Sequence, residues 1–511
     1  MAEPHGAEHI TPARRAIIMT FIMMATVIFI MNQTNVIVAL PHMQGTFSAT
    51  QDQITWVLTS FILALTIMTA ATGFLAGRFG RKRLYVFSIV GFTVASFFCA
   101  TASTLESEIL FRALQGAAGA PLIPLSQAIV LDVYPKERHG MALGLWGVGI
   151  TVGPVFGPIL GGYVTETASW PWVFYFNLPV GALATLGIVA FLPDTSRRNR
   201  RRLDWLGFAA LSVALAALQF VLNRGERLDW FASLEISLSA AACLLGLYVF
   251  AIHTATTPRP FVDRALFGDR NVMLGFALIF AWGCVLHSPL VLLSLRLQGL
   301  ENYPVMAAGF LMAPRGLGGV LAMFLVGPLL KVLNPKYIVS AGFGFVALAT
   351  WYMSHWPMHA TEREVIITAF GFGFGIALAW VPLSMLTFQT LNTAFRTDGT
   401  AFFNLLLNMG SGVGITLAVL VFTKSVQIGH EQLATHVTPF NKLFQGQGFP
   451  HMWDMGTRGG LKALDSEIVA QATTIAFNNA FLLVALTALA AIPFIYLLGG
   501  GARLWAVKTA R

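Results

Sequence analysis

The run AIIMTFIMMATVIFIMNQTNVIV, residues 16–38, opens the chain's apolar sequence and is long enough to cross a bilayer as one helix. A helix rises 1.5 Å per residue, so about 20 apolar residues cover the roughly 30 Å hydrocarbon core. Thirteen comparable stretches follow. In lipid only helices and closed barrels satisfy every main-chain polar group, and runs of this length and apolarity read as helices. The expected fold is therefore an all-α integral membrane protein with 14 transmembrane helices. Six lie between about residues 14 and 192, two between about 204 and 253, and six between about 271 and 499.

The implied organisation is a tail (1–13), an N-terminal six-helix bundle (14–193), a basic linker (194–203), a two-helix insertion (204–256), a C-terminal six-helix bundle (257–500) and a second tail (501–511). A polar stretch, 424–474, reads as one long loop inside the last bundle, and loops of that length are seldom idle. A weak internal repeat supports two related halves. Gly73-Phe-Leu75-Ala-Gly-Arg78-Phe-Gly80-Arg81-Lys82 leaves the second span, and Gly327-Pro-Leu329-Leu-Lys-Val-Leu-Asn334-Pro-Lys336 leaves the second span of the later group. Repeated halves rocking about a central site are a common transporter plan.

Composition agrees. Hydrophobic residues make up 56% and charged residues 11%, with 41 Phe and mean hydropathy +0.70, which excludes a soluble domain of this length. The net charge of +9 would suggest nucleic acid in a soluble chain, but its distribution assigns it to topology instead. Counting loops alternately puts 22 of the 32 Lys and Arg on one side and eight on the other, with Arg112 and Arg315 inside spans. That asymmetry predicts cytoplasmic termini. The first run has no small-residue cleavage site after it and is too long for a signal peptide. Cys99, Cys243 and Cys284 all fall inside spans, where they serve packing rather than a disulfide or metal framework. No catalytic constellation, metal site or cofactor loop is expected. Gly371-Phe-Gly373-Phe-Gly375 lacks a preceding strand, and His430, His436, His451 and Asp454 fit no standard metal spacing.

Three motifs carry the rest. The first is the loop with Gly73, Arg78, Gly80 and Arg81, where glycine allows close helix approach and the cations can bind helix ends or acids; a merely topogenic basic loop is the alternative. The second is Phe111-Arg112-Ala-Leu-Gln115-Gly116, which places a guanidinium in mid-membrane. That is expensive unless it faces a cavity or finds acceptors, so Arg112 either contacts substrate or ties helices together through oxygens. The third is Gly153-Pro154-x-x-Gly157-Pro158-x-x-Gly161-Gly162, whose glycines line one helix face while each proline bends it.

Together these resemble the major facilitator superfamily, and specifically its 14-helix drug:proton antiporters of the EmrB/QacA type, from about residue 13 to 500. Thr34-x-x-x-Val38-Ala-Leu-Pro41, Gln53-Ile-Thr-Trp56 and Trp172-x-Phe174-x-x-Asn177-x-Pro179 add to the match. His430-x-x-Leu433-x-x-x-Val437-x-Pro439-x-Asn441 looks like the EmrB branch. The resemblance implies a bacterial inner-membrane exporter of small amphipathic compounds, surrounded by lipid, proton-linked, and partnered by a periplasmic adaptor and an outer-membrane channel. Where the family has an acid in the first span this chain has Asn32, and where it usually has one in the last span Asn479 stands. Neither amide can titrate. None of the 23 carboxylates lies near the middle of an apolar stretch, so an acid-free, cationic interior is expected. The candidate substrate and coupling residues are Asn32, Gln33, Asn35, Arg112, Gln115, His287, Arg315, Asn404 and Asn408. An exporter of organic anions with atypical coupling remains an alternative, as does a non-transporting sensor or assembly partner.

Overall fold

The computed structural model describes residues 11–499 except 136–137, 194–203, 226–227, 259, 261, 263, 392–394, 439–452 and 454–455. The N-terminal tail to residue 10, the basic linker, the tail from residue 500, His451 and Asp454 thus lie outside the described residues, as do the side chains of Pro154 and Pro158. Among the described residues every regular element is a helix.

Fourteen long helices carry the architecture. In the first half they are α1 (Pro12–Thr46), α2 (Trp56–Phe79), α3 (Arg81–Ala100), α4 (Leu105–Gly119 continued by Leu122–Val133), α5 (His139–Thr167) and α6 (Asn177–Phe191). The insertion supplies α7 (Trp205–Arg224) and α8 (Leu234–Thr256). The second half contains α9 (Arg270–Leu286 continued by Ser288–Leu295), α10 (Pro314–Val332), α11 (Pro335–Met353), α12 (Glu362–Phe388), α13 (Arg396–His436) and α14 (Arg458–Tyr496). Among the described residues twelve helices are long and apolar enough to cross a membrane. The other two of the fourteen, α5 and α11, run between consecutive crossing helices and pack on α1 and α12 respectively. The outward faces are apolar as well as the core. Phe87, Leu186, Phe324 and Leu348 are all well exposed, an arrangement stable only against hydrocarbon.

The pairing of helices repeats from half to half. In the first, α1 packs on α5 and α6, α4 on α2 and α3, and α3 on α6. In the second, α9 packs on α13 and α14, α12 on α10 and α11, and α11 on α14. Matching α1–α6 with α9–α14 in order reproduces every one of these pairs. The halves meet along two seams, α2 against α13 and α5 against α10, and the same matching exchanges one seam for the other. The weak sequence repeat thus reflects a pseudo-twofold arrangement.

The insertion sits over one seam. Helix α7 packs on both α2 and α13. Phe220 lies 6.4 Å from the Trp56 ring, and Thr416 Oγ1 donates to Leu222 O at 3.1 Å. Helix α8 packs mainly on α7 and leaves Leu244, Leu245 and Tyr248 exposed.

Local chemistry explains the breaks and close contacts. Gly80 adopts φ 90°, which a side chain would strain, and this lets α2 end and α3 begin within one residue. Gly157 and Gly161 of α5 lie against Thr34 and Asn35 of α1, where an added Cβ would collide with main-chain and side-chain atoms. Helix α4 breaks at Ala120–Pro121, and α9 at His287 just before Pro289, because proline cannot donate the hydrogen bond that would continue the helix.

The expected loop 424–474 is different in the structure. Helix α13 continues to His436 and α14 begins at Arg458, so most of that stretch is a paired helical extension. At 1.5 Å per residue the 41-residue α13 is about 60 Å long, twice the hydrocarbon thickness. His430 bonds Asp465 at 3.0 Å, and Gly429 lies against Ala472. Loss of hydrophobicity marked where the helices leave lipid, and that differs from where they end.

Candidate functional site

Two polar clusters stand inside the bundle, one in each half. The first is built on α4. Arg112 is fully buried, and its spacing from Gln115 puts both on one helix face. Arg112 Nη1 donates to Asn32 Oδ1 on α1 at 2.9 Å and to Gln115 Oε1 at 2.5 Å, while Nε donates to Val57 O on α2 at 3.2 Å. Its guanidinium lies 4.2 Å from the centre of the Phe61 ring and 5.8 Å from that of Phe174. Gln115 Nε2 donates to Ser96 Oγ on α3 at 2.7 Å, and Asn177 Nδ2 on α6 reaches the same hydroxyl at 3.3 Å. Five helices are thereby tied to one cation. Arginine suits this because a planar, permanently charged fork can hold several acceptors at once.

The acid-free interior expected from the sequence needs correction here. Glu108, one turn before Arg112 on α4, is 0% exposed and has Arg112 and Cys99 as its electrostatic neighbours. Among the described residues no N–H or O–H donor reaches its carboxyl oxygens, and the Cys99 thiol of α3 faces them. In the sequence it stands at the polar edge of an apolar stretch, where it reads as a loop acid. Packing of α3 against α4 encloses it instead. The spacing of four from Arg112 was the signal available. A second buried acid, Glu301, pairs with Arg296 at 3.1 Å just beyond α9, and Arg296 had counted among the loop cations.

The second cluster forms around the break in α9. His287 Nδ1 lies 2.9 Å from Ser411 Oγ on α13. Arg315, at the start of α10, donates through Nη2 to Leu286 O at 2.9 Å and stacks 4.7 Å from the centre of the Phe372 ring on α12. At the break Leu290 N turns to His287 O at 3.1 Å instead of Leu286 O, which leaves Leu286 O free to accept a side chain. No carboxylate among the described residues neighbours His287 or Arg315.

The remaining candidates are dispersed. Asn35 is buried on α1; in the amide orientation that satisfies both its atoms it donates to Met31 O and to Gly157 O on α5, which makes it part of the helix contact. Gln33 is half-buried on α1 and Asn408 half-buried on α13. Asn404 Nδ2 bonds Thr400 O at 2.8 Å within its own helix. Among the motif residues, Arg81 pairs with Asp132 at the end of α4, Gly73 lies against Asp398 of α13, and Gly153 packs on Ile30. Arg78 lines a surface cleft with Phe79, Lys82 and Arg83, and Gly162 lies near Val38. Ser96, Phe61 and Ser411 escaped the sequence reading because neutral hydroxyls and rings are common in apolar spans, and Asn177 entered it only as part of a matching motif.

A helical membrane bundle with two repeated halves and a charged cluster buried in each defines a secondary-transporter architecture. The chain belongs to the Major Facilitator Superfamily, which it matches over residues 22–415, and within it the chain is EmrB-like. It is 32% identical to the multidrug export protein EmrB of Escherichia coli (strain K12), covering 83% of this chain and 84% of that one. It is 31% identical to the fatty acid resistance protein FarB of Neisseria gonorrhoeae, covering 90% and 91%. The crystal structure of the human organic anion transporter MFSD10 is similar in fold, with TM-score 0.62 and 14% identity over 95% of this chain and 100% of that one.

Proposed function

We propose that the protein exports small amphipathic compounds across a bacterial inner membrane by alternating access, with both termini cytoplasmic, proton-linked, and handing substrate to a periplasmic adaptor and outer-membrane channel. The observation that carries this is the Arg112 cluster: five helices of one half converge on a single buried cation, at a position where relative motion of α1 and α2 against α4 must break or remake its bonds. Similarity to a multidrug export protein over four-fifths of both chains supports the direction of transport. The proposed division of labour follows the expected boundaries, with 14–193 and 257–500 as the moving halves and 204–256 as an accessory pair. Asn32, Arg112 and Gln115 are assigned to the first substrate or coupling subsite, with Gln33 nearby on α1, and His287 and Arg315 to the second, with Asn404 and Asn408 on the adjoining α13. Asn35 and the glycines of α2 and α5 are assigned to conformational exchange. The paired extension of α13 and α14 is the proposed adaptor surface, because it continues beyond the apolar part of both helices.

A second reading is favoured by the second cluster, where the Arg315 guanidinium has no acid beside it among the described residues. An organic anion would find its counter-charge there, in keeping with the fatty-acid relative. Proteoliposome transport of oleate and of ethidium, each with and without a pH gradient, tests both. Export of ethidium at rates matching or exceeding oleate supports the multidrug reading, oleate alone supports the anion reading, and movement of neither rejects both.

A further inference from the structure

Glu108 presents a problem that the family resemblance does not solve. An acid in the first turn of a helix ordinarily accepts from free main-chain N–H groups or stays in water. Here Thr104 already caps α4, in a reciprocal capping box with Ser107. Glu108 has no contact with solvent, and among the described residues no N–H or O–H donor reaches its carboxyl oxygens; the weakly donating thiol of Cys99 is the group that faces them. A carboxylate held that way is under-satisfied in its ionised form, whereas a neutral carboxylic acid tolerates the site better.

Its neighbours give the group something to do. The ionisable groups facing it are Arg112 on its own helix and Cys99 on α3. The elements around Arg112 present Asn32 (α1), Phe61 (α2), Ser96 (α3), and Asn177 and Phe174 from the α6 side, none of them acidic. Residues four apart on a helix are within side-chain reach, so an ionised Glu108 offers Arg112 an ion pair one turn away from Asn32. In the structure Arg112 holds Asn32, Gln115 and Val57 O and leaves Glu108 alone. That is the arrangement expected when Glu108 carries a proton. When it loses the proton, the guanidinium is drawn towards it and its bonds to α1 and α2 are released.

We propose that Glu108 is the proton-binding carboxylate of this transporter, filling the role that Asn32 cannot, and that its ionisation decides which helices Arg112 holds. One proton is taken up by a carboxyl oxygen and the same proton is released, so charge balances over the cycle. This rests on the exporter reading for its purpose, though the proton site itself does not depend on it.

Two measurements separate those levels. Infrared difference spectra of the purified protein across a pH titration should show a carboxylic-acid carbonyl band that disappears in Glu108→Gln and shifts in Glu108→Asp. In proteoliposomes carrying oleate or ethidium, the ratio of flux with a pH gradient to flux without one should fall at least about tenfold in Glu108→Gln, to near unity, and should recover in Asn32→Asp/Glu108→Gln, where an acid is returned beside Arg112. A titrating band that survives in Glu108→Gln overturns the proposal, and so does an unchanged gradient response in that variant. Wild-type export without any gradient response overturns it, together with the proton link of the proposed function, and leaves export itself standing. If wild-type protein moves neither probe while the band titrates and vanishes in Glu108→Gln, the exporter reading fails and the proton site stands.

Discussion

The two interior clusters solve the same physical problem with opposite means. In the first half a fully buried arginine is surrounded by side-chain oxygens from several helices, with a carboxyl group one turn away. In the second half Arg315 takes a main-chain oxygen at a helix break and the face of one ring, with a histidine beside it and no acid among the described residues. The first cluster couples the positions of helices, because every acceptor sits on a different one. The second joins α9, α10, α12 and α13 through fewer bonds to its cation, one main-chain oxygen and one ring face. In the proposed mechanism energy conversion is assigned to the first half and substrate charge preference to the second.

The largest effect expected from this contrast is at Arg112. Arg112→Ala should reduce transport by roughly two orders of magnitude or more while the protein still inserts, and Arg112→Lys should rescue little, because an ammonium cannot hold Asn32, Gln115 and Val57 O together. Flux assays normalised to folded protein in the membrane check this. Near-normal flux in either variant would remove the mechanical role assigned to the first half.

Next comes the packing that lets α1 move. Gly157→Leu places a side chain where Thr34 and Asn35 lie, and should lower turnover by about tenfold or more with less effect on binding. Equilibrium binding of ethidium alongside transport distinguishes the two; equal losses of both would mean simple misfolding.

Charge preference is the third test. Asn32→Asp replaces a buried amide nitrogen that has no partner with a carboxylate oxygen beside Arg112, and should raise ethidium export relative to oleate about tenfold and steepen its pH dependence. Arg315→Gln should move the same ratio in the same direction by a smaller factor, about threefold, since Arg315 is only partly enclosed. A wild-type protein that prefers ethidium, and stays unchanged in Arg315→Gln, would show that the apolar walls decide selectivity.

The smallest effect on transport itself is expected from the extension. Removing residues 440–465, which takes away the start of α14, should leave ethidium binding by the purified protein unaltered while cross-linking to a co-expressed adaptor falls severalfold. Undiminished cross-linking would move the adaptor surface elsewhere.

Much of this molecule was legible before its structure. Hydropathy located the spans because bilayer thickness sets a length that main-chain hydrogen bonding cannot evade, and the glycine and arginine motifs named the helices that approach most closely. The Arg112–Asn32 contact was readable too, since a guanidinium in mid-membrane must find oxygens and the first span offered them. Other features lay beyond linear reading. Glu108 is an edge residue by position and an interior residue only because α3 closes over α4. Arg296 and Glu301 look like loop charges until each buries the other. The polar stretch 424–474 hides the end of α13 and the start of α14 because hydropathy reports the surrounding solvent rather than the backbone's hydrogen bonds. The sequence by itself determined the membrane class, the repeated halves and the family, all of which follow from local periodicity and composition. Only the tertiary structure decided which charges are desolvated and which polar groups converge, because burial depends on neighbours distant in the chain.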